Sequence, residues 1–485
     1  MADFEKEYHA RYPHDGYALF DERGVNEPTL FVLQVNGIDV DALWQGDCNH
    51  EPLIVTGGPD ASLVFFKTEP ALHYDKQPDP AHGTLQTLTG AQVSLKRRSN
   101  TTRWDRKPNL VVALDANESS RFPRQLSLTN CIRDPSYERM RLASALLTEA
   151  RCPTEPCAYA ELTLNGRYQG TYVAKPCVDE YYFQKLFPGT RERAVFRGQY
   201  GDLSGGATLA YRGPRGENYF VEGSPRLLRT YEPRLGTSDQ AYEALARFID
   251  VVNNAGEPES VAFATALSQV FDVATFLRTM AVINLIGAWD NYYLNAQNYL
   301  LEFDLAQSFT SPQHPFVNFC AYDVDSGFGV SWPGQQRNWH AKDILFRENE
   351  TADIVLVKRA LQNPRFRRYY CDFMAWFLES RFTAPWVKEE RASYWQTLER
   401  SVYLESATPY GIPDTQRPWT NDDVYRHAVL DIELYAYGSS LIAGLEVLGI
   451  SEFVRRRRET ALSHLAQETL GKSGVDFDSE DWSLP

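Results

Sequence analysis

The sequence predicts an α+β fold in which a β-rich N-terminal part precedes a mostly helical C-terminal part. Short apolar runs bounded by turn residues, one Asn-Gly hairpin and several long segments with helical periodicity carry this prediction. Within residues 1–90, Leu30-Phe31-Val32-Leu33 and Ser62-Leu63-Val64-Phe65-Phe66 read as strands, with Gly57-Gly58-Pro59 as a turn between them. Residues 91–115 read as two strands around a polar turn. Leu110-Val111-Val112-Ala113-Leu114 is nearly continuous in apolar character, which predicts burial on both faces. A helix is expected over Ser136–Ala150, capped by Asp134-Pro135, with Leu142, Ala145, Leu146 and Leu147 as its apolar stripe. Ala158–Leu164 and Tyr168–Ala174 flank Asn165-Gly166, and both residues of such a turn take positive φ, so a hairpin is expected. Further helices are expected at Asp239–Asn253 and at Val273–Trp289, where Phe276, Met280, Ile283 and Ile286 recur at helical spacing. Thr351–Gln467 reads as mostly helical. It ends in Glu452–Ala466, whose four arginines read as a solvated face. The acidic residues after Gly471 read as a loose tail.

Composition narrows the function. The chain of 485 residues carries a formal net charge of −15, and an acidic surface repels a phosphate backbone, so general nucleic-acid binding is not expected. The opening MADFEKEYHARYP lacks the apolar stretch of a signal peptide, and no window reaches bilayer-spanning length. A soluble cytoplasmic protein without membrane association is therefore expected. Seven cysteines in a chain this long do not form a disulfide framework, and Cys152 and Cys157 have no second pair at zinc-ligand spacing. The glycine-rich RGQYGDLSGGATLAYRGPRGE, residues 197–217, matches neither phosphate-loop pattern and reads as a surface loop. Neither a Gly-x-Ser-x-Gly elbow nor a His-Glu-x-x-His helix occurs, which counts against an α/β-hydrolase and a zinc protease. His340 reads as a surface or satisfied histidine, and Trp332 and Trp339 beside it as core aromatics rather than an acceptor pocket.

The chemically informative segment is AWDNYYLNAQNYLL (288–301) followed by AYDVDSGFG (321–329). Mg²⁺ takes hard oxygen ligands, commonly one or two carboxylates together with phosphate oxygens and water. Phosphoryl transfer also needs an Asp near the acceptor and, in kinases, an Asn on the metal side. Protein kinases separate these by four residues, as Asp290 and Asn295 are here, and Asp325 is then followed by Ser326-Gly327-Phe328-Gly329. Taken singly, Asp290 reads as a helix cap and Asn295 as a turn residue. Their order between apolar runs reads as a metal-dependent nucleotide site.

The chain resembles the CotH-type kinases, the atypical kinase family named for spore coat protein H. The resemblance runs from about residue 91 to residue 467. It is carried by Trp289-Asp290, by Asn298-Tyr299-Leu300-Leu301 and by Tyr322-Asp323-Val324-Asp325-Ser326-Gly327-Phe328-Gly329. Arg98-Ser99-Asn100-Thr101-Thr102, Asp134-Pro135-Ser136-Tyr137-Glu138-Arg139, the hairpin Asn165-Gly166 to Gly170-Thr171-Tyr172, and the Phe453-Val454 helix extend it. It implies an atypical protein-kinase-like fold that binds ATP and Mg²⁺, or Mn²⁺ in its place. The implied units are an N-terminal extension (1–90), a nucleotide-side lobe (91–235), a catalytic and helical lobe (236–470) and an acidic tail (471–485).

By motif, the resemblance makes Asp290 the catalytic-loop Asp and gives the metal to Asp323 and Asp325. Asn298 is the metal-side Asn by the strand that follows it, with Asn295 held in reserve by kinase spacing. Lys107 becomes the nucleotide lysine, Arg106 lies at nearly the same register, and Arg98 stands at the turn on the phosphate side. Three positions depart from the family pattern: Ser99 replaces a glycine, Tyr322 replaces a tryptophan, and Lys175-Pro176 stands where an acidic residue usually follows the hairpin, so that partner is missing or moved. The expected activity is phosphoryl transfer from ATP to a hydroxyl of a protein, a peptide or a small molecule. AMP transfer or carboxylate activation for ligation, and a catalytically inactive scaffold, are the alternatives.

Overall fold

The computed structural model describes residues 30–45, 54–68, 84–98, 107–114, 124–131, 134–188, 192–199, 206–220, 230–236, 239–308, 315–330, 338–347, 354–407, 420–430, 434–436 and 446–484. The architecture is α+β. Strands β1 (Leu30–Asn36), β2 (Ile54–Thr56), β3 (Ser62–Thr68), β4 (Thr84–Thr89), β5 (Ser94–Arg98), β6 (Asn109–Ala113), β7 (Gln125–Thr129), β8 (Ala158–Leu164) and β9 (Arg167–Pro176) form one sheet, ordered β2-β5-β6-β7-β9-β8-β1-β3-β4. The pairings are antiparallel except for β1 beside β8, which is parallel. Strands from before and after residue 90 thus share one continuous sheet. The β8–β9 hairpin turns at Asn165 and Gly166, with φ of +48° and +74°, as the Asn-Gly signal predicts. Leu110, Val111 and Val112 of β6 are all buried, matching their unbroken apolar run.

A second sheet holds β10 (Arg193–Gly198), β11 (Tyr231–Leu235), β12 (Tyr299–Ser308) and β13 (Pro315–Ala321) in the order β11-β10-β12-β13. Its two faces serve two cores, because successive side chains of a strand point to opposite sides. Val195, Leu300, Phe316, Cys320 and Tyr322 join the core of the nine-stranded sheet. Phe196, Tyr299, Leu301, Phe303, Val317 and Phe319 join the helical core. The small sheet therefore lies at the junction of the two parts of the molecule. Arg193 braces it from within: its Nε donates to Glu302 Oε1 at 2.9 Å, and Asn318 Nδ2 donates to Glu302 Oε2 at 2.8 Å.

The helices longer than five residues are α1 (Arg139–Glu149), α2 (Glu180–Leu186), α3 (Asp239–Asn254), α4 (Val261–Val270), α5 (Val273–Ile286), α6 (Val355–Gln362), α7 (Pro364–Ser380), α8 (Ala384–Ala407) and α9 (Ile450–Leu465). Helix α1 begins three residues later than expected. Glu138, not Asp134, stands at its N-cap, while Asp134 braces the first turn from outside, accepting from the Arg139 backbone N at 2.8 Å, from Arg139 Nη1 at 2.5 Å and from Ser136 Oγ at 2.6 Å. Burial alone would raise the Asp134 carboxyl, but Arg139 and these hydrogen bonds outweigh it and hold the group below the usual range. The Asp-x-Ser-x-x-Arg motif is thus a self-contained helix start.

Every residue of α5 is buried, and Asp272 caps it by accepting from Thr275 N at 3.0 Å. The helix stops at Ile286, short of Trp289. Gly287 turns left-handed at φ +65°, where a Cβ would lie 2.9 Å from Phe453 Cζ.

Two expectations about the C-terminal region are corrected. The arginines of α9 do not form one solvated face. Arg455 and Arg456 pair with Glu452 near the surface, but Arg457 is fully buried and bonds the His340 and Lys342 carbonyls and Asn284. The described part of the tail is not loose either. Its apolar residues Phe477, Trp482 and Leu484 are buried, Tyr369 Oη donates to the Trp482 carbonyl at 2.7 Å, and the Arg151 guanidinium lies 3.8 Å from the Trp482 ring centre. Three apolar anchors outweigh the acidic residues between them. Among the described residues no helix is long and apolar enough to cross a membrane.

Candidate active site

The β12–β13 hairpin assembles the predicted acidic residues. Asp290, Asn295 and Asn298 precede β12, Asp323 and Asp325 follow β13, and the antiparallel register sets Tyr299 opposite Ala321. One further ladder bond joins the two loops: the Tyr322 backbone N donates to the Asn298 carbonyl at 3.1 Å. Residues more than twenty positions apart thereby meet at one end of the sheet. The loops are pinned from behind. Trp289 Nε1 donates to the Val330 carbonyl at 2.7 Å, Asn291 Nδ2 to the Asn298 carbonyl at 2.8 Å, and Phe328 N to the Ile286 carbonyl at 2.6 Å. Trp339 stacks on Trp289 at 5.8 Å and is buried, so it serves the core. Trp332 lies outside the described residues. His340 is half-buried, and burial, followed by Arg456 and Arg457, holds its imidazole below the ordinary range.

Asp290 is half-buried and its carboxylate is held by amides. Asn295 Nδ2 donates to Oδ1 at 2.8 Å, Gln297 Nε2 donates to the same oxygen, and Asn298 Nδ2 reaches Oδ2 at 3.3 Å and the Asp290 carbonyl at 2.8 Å. Both candidate asparagines therefore touch Asp290, and Gln297, which the sequence did not single out, completes the set. Asn298 and Asp323 take left-handed backbone, at φ +55° and +54°. Such conformations are uncommon outside glycine and mark positions where the surroundings over-determine the chain. Asp325 accepts from Ser326 Oγ at 2.9 Å.

The cation facing this acidic pair comes from a position the sequence presented as a departure. Lys175, near the end of β9, is 1% exposed, and its Nζ lies 3.0 Å from Glu155 Oε2 and 3.3 Å from Asp323 Oδ1. The same Glu155 oxygen accepts from the Asp323 backbone N at 3.0 Å. Glu155 lies between α1 and β8, so a short chain of charges ties the large sheet to the Asp-x-Asp turn. An acidic side chain thus stands beside Lys175 in space, twenty residues earlier in sequence. Glu138, at the start of α1, is otherwise engaged, with its Oε2 on Arg391 Nε at 2.7 Å.

Lys107 is placed elsewhere. Its Nζ lies 2.7 Å from Glu405 Oε1 of α8, 2.5 Å from the Thr171 carbonyl and 3.3 Å from Tyr137 Oη, with the Tyr172 ring centre at 4.7 Å. Thr171 precedes Lys175 by four residues on β9, about 13 Å at the rise of a strand. Lys107 is therefore a buried ion-pair residue that fastens α8 to the sheet. Gly170, at φ +105°, makes room for Glu405, because a Cβ there would lie 2.6 Å from the Glu405 Cδ. Arg98 closes β5, with only its backbone described, while Arg106 and Ser99–Thr102 lie outside the described residues. Of the 197–217 segment, residues 206–209 pack behind the site, where Tyr299 Oη donates to the Ala207 carbonyl at 2.6 Å and Tyr292 Oη to the Thr208 carbonyl at 3.2 Å.

Asp323 and Asp325, with the amide oxygen of Asn298 or Asn295, are oxygen donors of the kind a hard divalent cation takes, together with phosphate and water. Among the described residues no three His, Cys, Asp or Glu side chains converge as a metal set.

An amide-held Asp before a hairpin, an Asp-x-Asp after it and a Lys–Glu pair reaching across from the large sheet make up a kinase-type arrangement. The family described as CotH kinase protein matches residues 89–425. The chain belongs to the CotH kinase family. A curated relative, the inner spore coat protein H of Bacillus subtilis (strain 168), is 22% identical over 327 residues, which cover 67% of this chain and 81% of that protein.

Proposed function

We propose that this protein is an ATP- and Mg²⁺-dependent phosphotransferase whose acceptor is a hydroxyl of a protein, a peptide or a small molecule. The observation that carries the reading is Lys175 held between Glu155 and Asp323, which joins the β-rich part to the acidic turn. Kinase-like catalysis depends on a lysine kept in place by a glutamate and on a metal-binding aspartate beside it. In this reading Lys175, rather than Lys107, meets the nucleotide phosphates, and Glu155 positions it. Asp325 and Asp323, with the amide oxygen of Asn298 or Asn295, would hold the metal, which would supply positive charge against the transferring group. Asp290 orients the acceptor hydroxyl and takes its proton as the new O–P bond forms, the β–γ bridge breaks and ADP leaves. The amides of Asn295, Gln297 and Asn298 fix the Asp290 carboxylate for that task.

Parallel incubations with α- and γ-labelled ATP test this. Only the γ label is expected to reach an acceptor. Lys175→Met and Asp325→Ala each reduce transfer by about a hundredfold or more, the scale of losing one preorganised electrostatic contact. Transfer of the α label would make the reaction AMP transfer instead. Transfer that survives Asp290→Ala combined with Asp325→Ala would remove these residues from the chemistry.

A further inference from the structure

We propose that Arg197 is a phosphate-binding residue at the junction of the two sheets, one that takes an oxygen of the nucleotide's phosphate chain; this rests on the nucleotide reading above. Arg197 lies on β10, on the same face as Val195, so it points toward the large sheet and into the junction where Lys175 enters. Its guanidinium carbon is 4.7 Å from the centre of the Tyr322 ring, and Lys175 Nζ is 5.3 Å from the same ring. Tyr322 directly precedes Asp323. The two cations thus converge on the residue that leads into the acidic turn.

What sets Arg197 apart is that, among the described residues, its guanidinium meets a ring face but no hydrogen-bond acceptor. Its Nε is buried without an acceptor, and among the described residues the side chain makes no hydrogen bond or ion pair. Native interiors leave few such donors, and each calls for an explanation. Arg193, four residues earlier on the same face of the same strand, shows what a structural arginine looks like here: it bonds Glu302, Glu180 and two carbonyls. A carboxylate is even available to Arg197. Glu232 of β11 is its cross-strand neighbour, but Glu232 accepts from Gln199 at 2.7 Å and pairs with Arg234 at 3.4 Å instead. The Tyr322 face satisfies part of the charge, yet it leaves the in-plane fork of N–H donors unused.

Charge balance says what belongs there. Glu155, Asp290, Asp323 and Asp325 lie at or beside the loops at this end of the β12–β13 hairpin, and Lys175 is already shared between two of them. A polyphosphate entering this acidic site needs a cation that is not yet neutralised, and Arg197 supplies one. Its planar fork matches two phosphate oxygens. Position favours the nucleotide over an acidic acceptor, because the guanidinium lies on the face turned toward the large sheet.

The test compares wild type, Arg197→Met and Arg197→Lys, titrated with a non-hydrolysable ATP analogue plus Mg²⁺ and separately with adenosine. Arg197→Met is expected to weaken the ATP analogue about tenfold or more and to leave adenosine binding unchanged, with Arg197→Lys intermediate. Without ligand, the denaturation midpoint of Arg197→Met is expected to equal or exceed that of wild type, because the change removes an unbonded buried donor. Unchanged affinity for the ATP analogue overturns the proposal alone. Equal losses for analogue and adenosine, or a lower unliganded midpoint, mark Arg197 as structural and also overturn it. Wild-type protein that binds no ATP analogue overturns the nucleotide reading, and the proposal with it.

Discussion

Lys107 and Glu405 offer a sharp test of the fold and of the reassigned lysine together. The Lys107 side chain is 2% exposed and the Glu405 side chain 1%, so each charge depends on the other for its burial. Lys107→Met leaves the Glu405 carboxylate with Tyr137 Oη and Thr171 N, both at 3.2 Å, and no cation among the described residues. Removing one partner of such a buried pair costs about 3–5 kcal/mol. Glu405→Met leaves the ammonium with the Thr171 carbonyl and Tyr137 Oη, at a similar cost. The double variant removes both charges, so its loss is expected to fall short of the sum of the single losses by about 3 kcal/mol. Urea denaturation of the four proteins, read by tryptophan fluorescence, measures the cycle. Single losses that add to within about 0.5 kcal/mol would refute the ion pair. A Lys107→Met protein that keeps wild-type stability but loses ATP binding would return Lys107 to the nucleotide.

Two further outcomes follow from the same packing. Gly170→Ala is expected to cost about 3–5 kcal/mol, from left-handed strain and displacement of Glu405, but only about 1–2 kcal/mol in a Glu405→Ala background where the clash is gone; equal costs in both backgrounds would contradict the contact. His427 is held down to about 3, first by burial and then by Arg139 and Arg391, with Asp134 and Asp423 opposing. Its folded value lies below its unfolded one, so the unfolded state binds the proton as pH falls below about 6.5 and stability drops, levelling off near pH 3. Between pH 8 and pH 5 that linkage costs about 2 kcal/mol, and His427→Gln is expected to flatten this slope by the same amount in denaturation measured at both values. An unchanged slope would show that His427 is not buried as a neutral ring.

Local chemistry made much of the fold legible. Asn165-Gly166 defined its hairpin because few other pairs accept two positive φ values, and Leu110 to Val112 declared a buried strand by lacking polar alternation. The order of Asp290, Asn298, Asp323 and Asp325 was readable because a single hairpin joins them, so sequence order became spatial order. Lys175 and Glu155 were not readable in this way. Their meeting depends on how the segment between α1 and β8 crosses the end of β9, which no local pattern records, and Lys175 looked like a defect in the motif. The setting of Lys107 was hidden for the converse reason. Its motif neighbours set its place along the chain, but its partner Glu405 lies 298 residues further on. The tail was misjudged because its acidic residues dominate the count, while Phe477 and Trp482 decide the packing.

The most direct measurement is Mg-ATP binding by Lys175→Met and Lys107→Met side by side with wild type, by titration calorimetry at a temperature where all three are folded. Wild type is expected to bind, Lys107→Met to bind comparably while folded, and Lys175→Met to lose at least about tenfold in Kd. Binding retained by Lys175→Met and lost by folded Lys107→Met would contradict the assignment of the nucleotide site to Lys175, Glu155 and Asp323.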